Sequence, residues 1–382
     1  MSISYGRQFI DDEDISAVVQ ALKSDFLTQG PAVRNFEQKI CEITGAKYCV
    51  AVSNATAGLH IAVAALKPAE GEEGITSPNT FLASSNCLIY NNMKPVFADI
   101  DPETYNIDPN EIEKKISKKT KVVIPVHFAG LPCDMRRIKE IADKNNIFVI
   151  EDAAHAIGSR YFDGTPVGNC RYSDMTVFSF HPVKTITTGE GGAITTNNLE
   201  IYKSLQKLRS HGTTKDINEL TINPGPWYYE MQELGFNYRL TDMQAALGLS
   251  QLNKLERFKE RRREIISKYN VEFQGIDWLK IPVEPKGLNS CFHLYVVQID
   301  FKKLGLDRKA VMHKLLNQNV GTQVHYIPVH TQPYYREKFY YRIGDFPKVE
   351  AYYEKALSLP LFPAMNNDDI YMVIKAIKGL DE

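Results

Sequence analysis

Lys184 stands in the run Phe178-Ser179-Phe180-His181-Pro182-Val183-Lys184-Thr185-Ile186-Thr187-Thr188-Gly189-Glu190-Gly191-Gly192. It lies among apolar and small residues just past a strand signal. Partial burial there disfavours the ammonium form and lowers the lysine pKa. A neutral amine is then able to attack a carbonyl and form a Schiff base. An isolated lysine beside a glycine turn is ordinarily a surface residue. The glycines add a second reading, because they let backbone approach a ligand closely.

Three other stretches carry possible chemistry. Phe148-Val149-Ile150-Glu151-Asp152-Ala153-Ala154-His155 is an apolar strand ending in a carboxylate. Ligands of open α/β sheets collect beyond the carboxyl ends of strands, which makes Asp152 a site candidate. Asp152 also reads as a helix cap, and His155 alone reads first as a hydrogen-bonded structural histidine. In Ser53-Asn54-Ala55-Thr56-Ala57-Gly58, small and hydroxylic residues open a helix after a strand. Free backbone N–H groups and the helix dipole there hold a phosphate, or the motif is a plain N-cap. Gly235-Phe236-Asn237-Tyr238-Arg239-Leu240-Thr241-Asp242 offers Arg239 for bidentate pairing with a carboxylate or phosphate, or is an ordinary loop.

The elements that must position these residues alternate. Ile15, Val18, Val19 and Leu22 fall on one helical face, and Ala55–Leu66 reads as a helix. Tyr48–Val52, Pro95–Ala98, Val122–Val126, Phe148–Ile150 and Met175–Phe180 read as buried strands, with an amphipathic helix through Met135, Ile138, Ile141 and Ala142. This pattern predicts an α/β fold with a mostly parallel sheet covered on both faces. Thr241-Asp242-Met243-Gln244 has capping-box form and opens one long helix running towards Tyr269. Beyond it, strands near Phe292–Ile299 and Gly321–His325 flank a helix around Asp307–Gln318, which predicts a smaller α+β domain. The expected division is a large domain over 1–250 and a small C-terminal domain over 251–382.

Composition sets the outer limits. With 382 residues, 43% hydrophobic and 24% charged, the chain is ordinary globular material. A net charge of −1 gives no global field for nucleic acid or anionic membrane. The six cysteines, Cys41, Cys49, Cys87, Cys133, Cys170 and Cys291, form no C-x-x-C pair and read as reduced thiols of a cytoplasmic protein. Met1 to Asp12 lacks the form of a signal peptide, and no apolar run is long enough to span a bilayer. His127, Asp152 and His155 lack metal-motif spacing, so no metal is expected. Arg261-Arg262-Arg263, late in a helix among Glu260 and Glu264, reads as a solvated face, and the Tyr-Tyr pairs at 228–229, 334–335, 340–341 and 352–353 as packing or as dimer surface.

Taken in order, Thr28–Gly30, Ser53–Leu59, Asp152–His155, Ser179–Gly192, Arg209–Gly212 and Gly235–Arg239 resemble the motif set of the DegT/StrS-type sugar aminotransferases, which have the aspartate-aminotransferase-like fold (fold type I). The likeness runs over almost the whole chain. It implies pyridoxal 5'-phosphate as cofactor, with Lys184 as the catalytic Schiff-base lysine and Asp152 on the pyridine nitrogen. It places His155 near the ring hydroxyl, Phe81 on the ring face, and Ala55, Thr56 and Ser179 at the phosphate. Asn237 would reach the phosphate of a partner subunit, which implies a homodimer with shared active sites. Glutamate is the implied amino donor and a nucleotide-linked keto sugar the acceptor.

Within the family, His181–Gly192, Arg209–Gly212 and Gln323–Tyr326 are similar to the pseudaminic acid branch, which aminates C4 of a UDP-linked 4-keto-6-deoxy-N-acetylhexosamine. That likeness places Tyr5, Leu27, Thr28, Arg239, His325 and Tyr326 at the substrate. His127 stands where the branch has an acidic residue, and Ile327 where it has a lysine. Other readings stay open: amination of another nucleotide-linked keto sugar at C3 or C4, sugar dehydration with the same cofactor, or a catalytically silent binding or regulatory protein on this fold. The related dehydratases carry histidine in place of the lysine, and Lys184, Asp152 and Asn237 standing together disfavour the silent protein.

Overall fold

The computed structural model describes residues 3–381. Its centre is a seven-stranded sheet: β1 (Tyr48–Val52), β2 (Glu73–Thr76), β3 (Lys94–Phe97), β4 (Thr120–Ile124), β5 (Phe148–Asp152), β6 (Met175–Ser179) and β7 (Gly192–Thr196), in the order β1-β7-β6-β5-β4-β2-β3. The pairs β2–β3, β2–β4, β4–β5 and β5–β6 are parallel. β7 runs against both of its neighbours, β1 and β6.

Side chains alternate across this sheet as a period of two demands. Cys49, Ala51, Val123, Val149, Phe178 and Ala193 face a core built with the helices Pro31–Thr44, Met135–Asn145 and Asp242–Asn253. Val50, Val52, Ile124, Ile150, Val177 and Ile194 face the opposite core, with the helices Ala55–Ala65, Ala83–Tyr90 and Leu199–Arg209. Both faces are therefore covered, and the sheet is mostly parallel as the strand signals predicted.

Register brings the candidate segments to one edge. Gly192, the first residue of β7, pairs with Val52 at the end of β1 and with Ser179 at the end of β6. Asp152 closes β5 opposite Val177. The carboxyl ends of β1, β5 and β6 thus open on the same side. Gly192 is required there: an added Cβ would fall 2.7 Å from the Asn54 carbonyl carbon and 2.8 Å from the Ala55 nitrogen. Its bare Cα lets β7 pass against the entrance of helix Ala55–Ala65.

The C-terminal part has its own three-stranded sheet, Leu279–Lys280, Tyr295–Ile299 and Ala356–Leu359, and its own core of Ile265, Tyr269, Tyr295, Val297, Leu357 and Ile377 among others. Ile3 joins that core from the N-terminus. Phe97, Phe128, Val296, Val349 and Tyr352 pack together between the two parts.

Several local expectations change. The long helix from Thr241 is two helices, Asp242–Asn253 and Leu255–Phe273, joined at Lys254. The Thr241 capping box is present, with Gln244 as its partner. No strand forms over Gly321–His325; Val320 and Gln323 make only single bridges, to Ile3 and Ser358. The short strands β2 and β7, each carrying a glycine, had no matching signal. Arg262 is no solvated residue: it is 1% exposed, and its Nη1 donates to the carbonyls of Phe292, His293 and Leu361 at 3.3, 3.1 and 2.9 Å. Three carbonyls left without backbone partners draw the guanidinium inward. Among the described residues no helix is long and apolar enough to cross a membrane.

Candidate active site

A cavity of about 660 Å³ opens over this edge of the sheet. Its lining includes Lys184, Asp152, His155, Ser179, Ala55, Thr56, Phe81, Tyr5, His325 and Tyr326, so the structure brings these expected residues together. It does not bring Asn237, Arg239, Leu27 or Thr28 to the same cavity. Thr28 bridges Thr241, Arg239 bridges Val52, and Asn237 bridges Ser210, all through backbone. Asn237, Leu27 and Thr28 are exposed.

The entrance of helix Ala55–Ala65 leaves backbone donors at the cavity wall. Asn54 is its N-cap, and the Asn54 side chain accepts only the Ala57 N–H, at 2.8 Å. The N–H groups of Ala55 and Thr56 lie in the first turn, where no carbonyl of the helix reaches them. Both residues line the cavity. Ser179, at the end of β6, adds a hydroxyl to the same wall.

Asp152 caps no helix. Its Oδ1 accepts the Ala154 N–H at 3.1 Å and its Oδ2 the Ser84 hydroxyl at 2.6 Å. Ser84 is in turn 2.6 Å from the Thr80 hydroxyl. The two donors orient a carboxylate that is 5% exposed. Ser84 was missed in the sequence. Its only signal is a serine three residues past Phe81, on a helix whose side chains return beneath the strand ends.

Lys184 follows β6 on a turn in which its own N–H donates to the His181 carbonyl at 2.9 Å. Its side chain is half-buried in the cavity wall. Burial pulls the amine down to about 8, against the opposing pull of the Asp152 charge. Phe81 presents its ring to the cavity with 60% of its surface uncovered.

Three imidazoles surround this amine. Burial, then the charge of Lys184, holds His155 well below the usual histidine range and His325 down to about 3. His293, unnoticed in the sequence, lines the cavity with its ring 4.4 Å from that of His155, and its Nδ1 is buried without a protein partner. His127 does not face the cavity. Its Nδ1 accepts the Cys133 N–H at 3.1 Å, and its Nε2 donates to Glu151 at 2.6 Å on the far side of β5. Burial raises the Glu151 carboxyl, but His127, Ser173 and Tyr161 together hold it below its usual value. Ile327 is half exposed.

Comparison with known proteins places this geometry. A family model described as the DegT/DnrJ/EryC1/StrS aminotransferase family matches residues 8–378. The chain is 41% identical to the spore coat polysaccharide biosynthesis protein SpsC of Bacillus subtilis, over 99% of this chain and 97% of that protein. Its structure is similar to Helicobacter pylori PseC, an aminotransferase involved in the biosynthesis of pseudoaminic acid, with a TM-score of 0.92, 30% identity, and 100% and 99% of the two chains covered. It is also similar to the sugar aminotransferase Spr1654 of Streptococcus pneumoniae in its PMP-form, with a TM-score of 0.92, 29% identity, and 99% of each chain covered.

Proposed function

We propose, from the premise that this chain belongs to the DegT/DnrJ/EryC1/StrS aminotransferase family, that it moves an amino group from glutamate to C4 of a UDP-linked 4-keto-6-deoxy-N-acetylhexosamine, on pyridoxal 5'-phosphate. The observation that carries the reading is the placing of Lys184 and Asp152 in one cavity, the amine lowered to about 8 and the carboxylate tied by Ser84 and Ala154.

The residues fit the cofactor by their chemistry. The free N–H groups of Ala55 and Thr56 and the Ser179 hydroxyl would hold its phosphate. Asp152 would pair with its ring nitrogen, Phe81 would lie on its face, and Lys184 would carry its carbonyl carbon. When bound, pyridoxal phosphate supplies an electron sink for negative charge at a substrate carbon.

The chain's own residues do the rest. The neutral Lys184 Nζ would take the proton from the donor's carbon and give it to the cofactor's former carbonyl carbon, a general acid–base task suited to an amine lowered to about 8. The fixed charge of Asp152 keeps a proton on the nitrogen facing it. Tyr5, His325 and Tyr326 form the remaining wall and would meet the sugar nucleotide.

Asn237, Arg239, Leu27 and Thr28 enter the reading through a second copy of the chain. The face Ile15, Val19 and Leu22 of helix Asp12–Lys23 is open to solvent here, as are Phe26 just beyond it and Ile217, Ile222, Trp227, Tyr229, Met231 and Leu234. Apolar surface of this extent calls for a partner. Its continuity with Leu27, Thr28 and Asn237 supports a homodimer with shared active sites. The division into domains 1–250 and 251–382 remains our proposal, with the second reaching the cavity through His293, His325 and Tyr326. The His127 departure changes no cavity wall, since that ring faces Glu151, and Ile327, which follows the cavity residue Tyr326, does not line the cavity within this chain either.

The test is optical. The purified protein loaded with pyridoxal phosphate is expected to be yellow and to bleach with glutamate, and a UDP-linked 4-keto sugar is expected to restore the colour. A yellow protein indifferent to glutamate would overturn the donor; colour restored only by other keto-sugar nucleotides would overturn the acceptor.

A further inference from the structure

The hydrogen bonds around His155 fix the position of its proton. Ala129 donates its N–H to His155 Nδ1 at 3.3 Å, so that nitrogen presents its lone pair. A neutral imidazole then carries its proton on Nε2. Nε2 lies 3.0 Å from the Tyr326 hydroxyl oxygen. In that contact His155 is the donor and Tyr326 the acceptor.

The surroundings lock this arrangement. The Ala129 carbonyl accepts the His293 N–H at 2.9 Å, and the His293 ring lies against that of His155. A second proton on His155 would turn Nδ1–H against the Ala129 N–H. It would also add a positive charge beside Lys184, with His293 and His325 close by. Burial of His155 works in the same direction.

With a lone pair of its oxygen engaged by His155, Tyr326 is left with one proton to give. Burial, with Asp152 and Tyr5 nearby, raises the phenol pKa, so the hydroxyl keeps that proton. Tyr326 lines the cavity beside Phe81, His325 and His155, with ring centroids 6.4, 4.8 and 6.1 Å away. Apart from Lys184, these neighbours bring no cation. A carboxylate or phosphate drawn out of water needs such a charge or several converging donors, as at the Ala55–Thr56 helix entrance, whereas a carbonyl oxygen is satisfied by a single neutral donor.

We propose that His155 is a positioning residue that makes the Tyr326 hydroxyl a one-way donor, and that Tyr326 gives this hydrogen bond to the carbonyl oxygen of the keto sugar. The inference rests on the aminotransferase reading above and adds the atom that is recognised.

Two measurements test it. In cofactor-free protein with ¹⁵N-labelled histidine, His155 is expected to show a protonated Nε2 and a bare Nδ1 throughout the range ~pH 5.5 to ~pH 8.5, where an ordinary histidine titrates. The signal is assigned by its loss in His155→Gln. Titration in that range, or a proton on Nδ1, overturns the locked proton. In the loaded enzyme, Tyr326→Phe is expected to slow the keto-sugar half-reaction by about 100-fold in kcat, the scale of one lost transition-state donor, and to slow the glutamate half-reaction at least about ten-fold less. His155→Leu should follow Tyr326→Phe, and His155→Gln, which keeps an N–H donor, should recover much of the loss. Equal slowing of both half-reactions overturns the assignment of the carbonyl oxygen. A wild type that fails with glutamate overturns the aminotransferase reading instead, and the histidine spectrum still decides the proton's position.

Discussion

Lys254 sits at the joint of helices Asp242–Asn253 and Leu255–Phe273, 5% exposed. Its Nζ bonds to Asp11, lies 2.8 Å from Asp14 and reaches Glu13 at 3.9 Å. Lys184 is also drawn in from water, but its neighbours are three neutral imidazoles, a hydroxyl wall and the charge of Asp152, which acts through space. The first lysine closes a structural charge cluster and ties the N-terminal helix Asp12–Lys23 to the rest of the chain. The second is left with a labile proton. Burial alone does not make a lysine reactive; burial without contacting carboxylates does.

The largest expected effect lies at Lys184. Lys184→Ala should lower turnover by about 10⁴-fold, the upper range for a lost general acid–base group, with an unchanged melting temperature. A variant that retains a tenth of the activity would place the base elsewhere. The opposite outcome belongs to Lys254. Lys254→Met should cost about 3–5 kcal/mol in urea unfolding, because it strands buried Asp14 beside Asp11, while the folded fraction keeps its chemistry. Acid adds a sign to this. Lys254 holds the Asp11 carboxyl down to about 2, so the stability it contributes is present above about pH 4 and fades as pH falls towards 2. Lys254→Met should remove that fading; if both proteins lose stability alike on acidification, the pairing is not what lowers Asp11. The smallest effect is at Ser84. Ser84→Ala removes one of the two donors on Asp152, about 1–2 kcal/mol, and should weaken retention of pyridoxal phosphate about ten-fold. Unchanged retention would show that Ala154 alone orients the carboxylate.

The contrast between these lysines also marks what the sequence makes legible. Lys184 is readable because it follows a strand signal and precedes glycines that only close backbone approach explains. Asp152 and the Ser53–Gly58 helix entrance are readable for the same reason: strand periodicity places their ends together. Lys254 and Arg262 are not. Both lie inside what reads as one charged amphipathic helix, and only the tertiary packing reveals that the helix breaks at Lys254 and that three carbonyls call Arg262 inward. Ser84 and His293 fail for a related reason, since each reaches the site from an element whose local pattern speaks only of packing. The apolar spacing of Ile15, Val19 and Leu22 is a true helix signal, but periodicity cannot say whether the face meets the chain's own core or another copy.

The difference between Lys184 and Lys254 is tested most directly by the site and pH dependence of lysine attack on pyridoxal phosphate. Cofactor-free protein is mixed with pyridoxal phosphate at a series of pH values and quenched early with borohydride, which makes the lysine linkage permanent. The modified residue is then mapped by mass spectrometry. Labelling is expected at Lys184, with a rate that rises with pH and levels off near pH 8, and none at Lys254. Labelling spread over surface lysines, or a Lys184 rate still climbing towards the pKa of an ordinary lysine at about 10.4, would contradict it.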